Sequence, residues 1–379
     1  MNDAESLTAF RSSLVEWLSQ NLTTDVLEAE RAAAGGESQL PVLRAWNARL
    51  ADDRWAAVAW PARYGGRDAT QDEQLVYHEV MVRAGAPGPL NTIGVSNIAP
   101  AIMSLGTEEQ KERFLRPMLR GDEIWCQGMS EPDAGSDLAS LRTSARDDGD
   151  TFVVSGQKTW NSLGSRANWC QLYVRTDPAA PKHKGISCLL VDMASPGITV
   201  RPLRTMSGDV LFSELFFDDV VVPRSNLLGQ LNEGWRVAMT TLSHERAGVA
   251  RLHLELSVRF AELLDAVGRT GPIRDSVHRD RLARVYADIA CLRYSTAREM
   301  AVTGQGGQPS PVFGGLAKLA WSGAGQRLAD LAVDMLGPGA LQDGPWSHAL
   351  LLAQAYSIAG GTGDINRNVV AEHGLGLPR

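Results

Sequence analysis

Between residues 6 and 20, Leu7, Phe10, Leu14, Trp17 and Leu18 recur at steps of three and four, which puts them on one face of an amphipathic helix. Thr107, with Gln110 three residues on, makes a capping box ahead of Phe114, Leu115 and Met118. Gly121 supplies the stop, so the pattern predicts a second helix there. Between them, Trp60-Pro61 and Tyr64-Gly65-Gly66 punctuate a loop, and residues 72–83 read as helix again. Residues 1–123 therefore read as an all-α domain.

The period then changes. Residues 151–154, 171–174, 186–191, 198–202 and 214–222 are short runs of β-formers, separated by Asp148-Gly149, Ser155-Gly156, Pro178 and Pro196-Gly197. Such spacing predicts a β-barrel or sandwich. After Gly234 the helical period returns, with Trp235, Ala238, Leu242, Leu252, Leu256 and Leu263 on one stripe. Segments near 282–300, 313–336 and 346–358 complete a four-helix bundle. The expected fold class is α+β: an N-terminal helical domain (1–123), a middle β-barrel domain (124–232) and a C-terminal helical bundle (233–379). Gly304 to Gly307 with Pro309 and Pro311 reads as a short flexible loop.

Composition narrows the function classes. The 379 residues are 44% hydrophobic and 21% charged, the proportions of a folded globular protein. Lys and Arg number 37 against 44 Asp and Glu, a net charge of -7, so nucleic acid is not an expected partner. No stretch of about 18 consecutive apolar residues occurs, and the acidic N-terminus lacks a basic segment followed by an apolar one. A cytoplasmic, non-membrane protein is expected. Cys126, Cys170, Cys188 and Cys291 are scattered without C-x-x-C spacing and read as small core hydrophobes. The seven histidines are dispersed too, so no metal site is expected.

One loop is too specialised for a plain connection: Ser130-Glu131-Pro132-Asp133-Ala134-Gly135-Ser136-Asp137. It resembles the T/S-E-P-x-A-G-S-D signature of the acyl-CoA dehydrogenases. Further matches follow in order: Gly156-Gln157-Lys158-Thr159-Trp160, Lys184-Gly185-Ile186, Asp218 to Pro223, Leu228-Gly229, Glu245-Arg246 and Gly361-Thr362. The resemblance spans essentially the whole chain. It implies the acyl-CoA dehydrogenase fold and an FAD-dependent enzyme that desaturates an acyl-CoA thioester between Cα and Cβ. It also implies electron transfer to an electron-transferring flavoprotein and a homotetramer, or a heterotetramer with a related chain.

That chemistry needs a base for the α-proton, a hydride acceptor at the β-carbon and donors for charge on the thioester oxygen. By resemblance, Met129 and Ser130 lie against the flavin ring, Trp160 packs over it and Ser162 reaches its polar atoms. Without the motif, Trp160 would read as a core aromatic on a strand. Ser136 would face the acyl-CoA. Gly337 and Gly339 match a glycine-rich segment that lines the adenine half of FAD across a subunit boundary. Arg269 stands where the family has an R-x-x-F-G element, degenerate here because Phe is missing. Thr362 and Asp364 match positions that contact the flavin. Gly337-Pro338-Gly339 is no nicotinamide-binding fingerprint, since Pro338 removes a backbone donor.

Many family members carry the base in a Tyr-x-x-x-Glu-Gly-Thr segment. Here Tyr356 to Thr362 puts Gly360 in that place, followed by Gly361. Glycine abstracts no proton, although its N–H can still donate to the thioester oxygen. A subset resembling isovaleryl-CoA dehydrogenases and actinobacterial steroid-side-chain enzymes places the base on a bundle helix, just before an arginine. Glu245 before Arg246 fits, with Arg246 orienting the helix or the substrate loop. The plain alternative is an exposed Glu-Arg pair. Two other functions stay open: a flavin oxidase or monooxygenase of the same fold, and a subunit of a hetero-oligomer with little activity alone.

Overall fold

The computed structural model describes residues 3–32, 39–247, 252–269, 271–304, 310 and 312–378, with the backbone alone at 3–4, 31–32, 243–247 and 303–304. The first predicted helix is α1 (Asp3–Asn21), followed by α2 (Thr24–Ala32) and α3 (Leu40–Asp52). The segment expected at 72–83 is α4 (Gln71–Ala84). It opens on a capping box: Thr70 Oγ1 accepts from Glu73 N–H at 3.3 Å, and the Glu73 carboxylate accepts from Thr70 N–H at 2.8 Å. After α5 (Ala99–Leu105), α6 (Glu108–Arg120) starts at the Thr107–Gln110 box and stops at Gly121. Each box satisfies backbone donors that a helix start otherwise leaves unpaired.

Eight strands form one sheet: β1 (Trp125–Gly128), β2 (Ser144–Asp147), β3 (Thr151–Ser162), β4 (Trp169–Arg175), β5 (Ile186–Asp192), β6 (Ile198–Leu203), β7 (Phe212–Pro223) and β8 (Leu227–Leu228). The order is β6-β7-β3-β2-β4-β5-β8, with β1 paired to β4 off that path. The expected β domain is therefore a sheet whose hydrogen-bonded order has two ends, β6 and β8. β1, β2 and β8 escape the sequence pattern because runs of four, four and two residues are too short to display a period.

β3 corrects the expectation most. Ser155-Gly156 reads as punctuation between strands, yet the strand runs through it to Ser162. Gly156 sits at a shift of register against β7 with φ +147°, and an added Cβ would lie 2.7 Å from Thr143 Cα. The glycine permits close backbone approach and does not reverse the chain. A second register shift falls between Lys158 and Asn161. One face of the sheet buries Cys126, Phe152, Val154, Cys170, Leu172 and Leu215 completely. Phe114 of α6 meets Trp125 and Trp169 edge-on, ring centroids 5.2 and 4.8 Å away. Cys188 is buried too, whereas Cys291 is exposed and is not a core residue.

The helical period after Gly234 resolves into α7 (Gly234–Ala247), α8 (Leu252–Gly268), α9 (Ser276–Gly304), α10 (Phe313–Leu336), α11 (Pro345–Ala353) and α12 (Gly363–Val369). The stripe read as one run from Trp235 to Leu263 thus belongs to two helices, and residues 248–251 lie outside the described ones. So do 305–309 and 311 of the loop expected near Gly304. The chain forms two compact units, one of residues 1–19, 70–85 and 246–379, the other of 20–69 and 86–245. In the first, α8, α9 and α10 share a core that includes Leu256, Leu263, Ile289, Leu292, Leu328 and Leu331. In the second, α7 as far as Glu245 is grouped with the sheet.

Candidate active site

The loop after β1 is fixed by a buried charge pair. Lys158 of β3 has no exposed side-chain surface, and its Nζ donates to Met129 O at 3.0 Å and to Glu131 Oε1 at 2.9 Å. The same carboxylate accepts from Arg142 N–H at 2.7 Å and from Thr143 N–H at 2.8 Å. Burial lowers the Lys158 pKa to about 8 against the opposing pull of Glu131. Burial also works against the charge on Glu131, but Lys158 and the backbone donors outweigh it and hold that carboxyl below its usual range. Thr159 N–H donates to Ser130 O at 2.9 Å. Met129 and Ser130 are thereby tied to β3 through both carbonyls.

Trp160 follows at the second register shift. Its φ is +60° and its side chain is 61% exposed, with Phe212 edge-on at 5.9 Å. A core tryptophan is thus ruled out. A non-glycine residue in this region costs on the order of 1–3 kcal/mol, which the surrounding sheet must sustain. Asn161 turns the other way, nearly fully buried, and donates to Gln127 O at 2.6 Å. Ser162, like Met129 and Ser130, is half-buried. These four candidates are brought together: a thioether and two hydroxyl side chains beside an outward-facing indole on a rigid frame.

That set fits a flat, aromatic, polar-edged ligand such as a flavin ring. Asn161 Oδ1 and Ser213 Oγ, on residues paired across β3 and β7, are also buried without a hydrogen-bond partner among the described residues. The strand that carries Trp160 and its neighbour β7 therefore retain unused polar capacity.

Ser136 is exposed on the loop leading from this frame. Its neighbour Asp137 pairs with Lys182 at 2.8 Å, and Arg175 donates to Ala139 O at 2.6 Å and to Lys182 O at 2.7 Å. The Ser136 loop and the β4–β5 loop are thus bound to each other. A cavity of about 490 Å³ opens at the latter, lined by His183, Lys184, Trp235 and Arg236, with His183 edge-on to Trp235 at 4.6 Å.

The other candidates lie in the helical unit. Arg269 is exposed just after α8. Gly337 ends α10 with φ +69°, and an added Cβ at Gly337 or Gly339 would meet nothing within 4 Å. Thr362 caps α12, its Oγ1 accepting from Ile365 N–H at 3.2 Å, and the exposed Asp364 pairs with Arg367 at 2.8 Å. Both side chains are engaged locally, Thr362 in capping α12 and Asp364 in an ion pair along it. Gly360 and Gly361 have φ of +67° and +93°, and the buried Asn366 donates to Gly361 O at 2.9 Å and to Thr362 O at 3.0 Å, holding this reversed segment. Glu245 and Arg246 lie in the last turn of α7 by backbone, and their side chains fall outside the described residues.

Glu131 and Lys158 stand within the motifs, and nothing in the sequence alone marks either for a role. Their partnership spans 27 residues, and the only signal for it is that two opposite charges stand among residues destined for burial.

Three models of the acyl-CoA dehydrogenase family match in succession: the N-terminal domain over residues 4–122, the middle domain over 126–220 and the C-terminal domain over 232–375. "Acyl-CoA dehydrogenase IpdE1" of Mycobacterium tuberculosis (strain ATCC 25618 / H37Rv) is 36% identical over 390 residues, covering 100% of this chain and 99% of that one. Among solved structures, the "Tcur3481-Tcur3483 steroid ACAD" superposes with a TM-score of 0.87 at 31% identity, over 99% of this chain and 98% of its own. The ChsE4-ChsE5 complex from Mycobacterium tuberculosis gives 0.86 at 31% identity over the same shares. With all three family segments matched in order and a relative similar from end to end, the chain belongs to the acyl-CoA dehydrogenases, a family of flavin-dependent oxidoreductases.

Proposed function

We propose that this chain catalyses FAD-dependent α,β-desaturation of an acyl-CoA thioester with Glu245 as the base. The observation that supports it most is Trp160, an exposed indole kept in a costly backbone conformation beside the clamped Met129-Ser130 loop. FAD, when bound, supplies the acceptor for the hydride leaving Cβ, which no side chain replaces. Met129, Ser130, Trp160 and Ser162 would hold its ring, and Arg269, Gly337, Gly339, Thr362 and Asp364 are the candidates for the rest of it.

The Glu245 carboxylate takes the proton from Cα, and the electron pair of that C–H bond becomes the new Cα=Cβ bond as the hydride departs. Gly360 N–H donates to the thioester oxygen, where negative charge grows as the proton leaves. Ser136, Arg246 and Gly361 are assigned to the substrate. The carboxylate is supplied from α7 because Gly360, at the family's other base position, has none. Electrons then pass to an electron-transferring flavoprotein, and the three family segments divide at 1–123, 124–232 and 233–379.

Both of these solved structures carry two chain names, which favours a second assembly: a heterotetramer with a related chain in place of a homotetramer. Light scattering of the purified chain, alone and co-expressed with a related chain, separates the two. The chemistry is tested by anaerobic mixing with a panel of straight-chain, branched and sterol-side-chain acyl-CoA thioesters while flavin absorbance is followed. Glu245→Gln keeps shape and hydrogen bonding, so FAD content should persist while flavin reduction slows by roughly 10²–10⁴. Reduction at the wild-type rate would remove Glu245 from the mechanism.

A further inference from the structure

On the sheet face opposite Cys170 and Leu172 lies a polar chain that desaturation chemistry leaves without a role. Gln171 of β4 is completely buried, an unusual place for a side-chain amide. Its Nε2 donates to Thr241 Oγ1 of α7 at 3.2 Å, and its Oε1 accepts from Gln127 Nε2 of β1 at 3.4 Å. Tyr173, two residues along β4, shares a 3.2 Å hydrogen bond with the same Thr241 hydroxyl. Thr241 and Tyr173 have no exposed surface either. Burial pushes the Tyr173 phenol well above its usual range, so it stays a neutral hydroxyl. At the far end Gln127 Oε1 accepts from Asn97 Nδ2 at 3.5 Å, and Gln127 O accepts from Asn161 beside Trp160.

The two ends matter. Gln127 is two residues before Met129, at the root of the loop that would hold the flavin ring. Thr241 is four residues before Glu245, so positions 241 and 245 fall on one face of α7 a single turn apart. A helix packed on a sheet by apolar contacts alone can rotate or slide by fractions of an ångström at little cost. A buried hydroxyl held between two strand side chains cannot, because any such movement strands polar groups out of water.

We propose that Thr241 and Gln171 are positioning residues, which set the rotation and height of α7 against β4 and β1 and so place Glu245 relative to the cofactor loop. The proposal rests on Glu245 being the base. Each residue acts through that carboxylate and touches no reacting atom.

The test uses the flavin-loaded enzyme and whichever thioester of the panel, from butyryl-CoA upward, reduces the wild-type flavin fastest. Thr241→Val keeps the shape and removes the hydroxyl, Gln171→Met keeps the length and removes the amide, and Thr241→Ser restores the hydroxyl. The rate of anaerobic flavin reduction should fall about ten- to hundredfold in Thr241→Val and Gln171→Met, the scale of a misplacement near 1 Å. It should recover to within a few-fold in Thr241→Ser. The rate should become more sensitive to α-deuteration of the thioester, while reduction by dithionite and FAD content stay at wild-type values. A merely structural role would lower the thermal midpoint and leave the isotope effect unmoved. Should Thr241→Val fail to fold, Gln171→Met against Thr241→Ser carries the same comparison. Rates within twofold of wild type in the Thr241→Val and Gln171→Met variants, with Glu245→Gln inactive in parallel, would overturn the positioning role and leave the base in place. Wild-type reduction by Glu245→Gln would overturn both.

Discussion

Lys158 Nζ stands 2.9 Å from Glu131 Oε1, and neither side chain is more than 8% exposed. The pair joins β3 to the loop that carries Met129 and Ser130, and the ammonium also holds Met129 O. Two ions withdrawn from water repay that cost only if their remaining hydrogen-bonding capacity is met, as the Arg142 and Thr143 donors do for the carboxylate. The consequence is rigidity at the backbone assigned to the flavin ring.

Breaking this pair on one side leaves an unmatched buried charge. Glu131→Gln is expected to cost about 3–5 kcal/mol. Glu131→Gln combined with Lys158→Met should lie closer to wild type than the single substitution does. Thermal unfolding of the flavin-free forms checks the ordering, and flavin retention should fall in the single variant.

The pair also gives the protein an acid limit. Glu131 has a folded pKa below its ordinary value of 4.5, so its stabilisation is complete above 4.5 and drains away as pH falls through the lower folded value. Lys158, at about 8 when folded against 10.5 ordinarily, makes stability rise with pH between those two values, because the unfolded chain binds the extra proton there. Urea midpoints measured across both windows should show a shallower acid slope in Glu131→Gln than in wild type.

Trp160 separates cofactor binding from folding. Trp160→Gly removes an exposed ring and relieves the positive φ, so flavin-free stability should stay within about 1 kcal/mol of wild type. A core tryptophan would instead cost about 3–5 kcal/mol. FAD affinity, followed by fluorescence on titration, should weaken about tenfold, the order of one lost aromatic contact.

Gly360 limits any attempt to move the base. Its φ of +67° is a region in which a side chain costs about 1–2 kcal/mol. Gly360→Glu should therefore lower the thermal midpoint, and Gly360→Asn should lower it less because asparagine tolerates that conformation. Glu245→Gly combined with Gly360→Glu is expected to recover only part of the lost flavin reduction.

What the sequence determined by itself is local or ordered. Thr107 and Gln110 are three residues apart, so their capping box could be read directly, and α10 begins at Phe313 and ends at Leu336 as its apolar period says. The succession of motifs from Ser130 to Thr362 identified the family, since many weak matches in order are jointly specific. Tertiary structure decided the rest, wherever a residue's meaning depends on a distant partner. Gly156 reads as a turn until Thr143 is seen against it, and the outward aim of Trp160, which its motif implied, is achieved by a register shift that no residue pattern announces. Cys291 reads as core until its face of α9 is found open to solvent. Gln171 and Thr241 stand 70 residues apart, and no periodicity links a strand amide to a helix hydroxyl. Periodicity reports which face of an element is apolar, but a buried polar group is defined by the one partner that satisfies it, and only the folded chain brings that partner within reach.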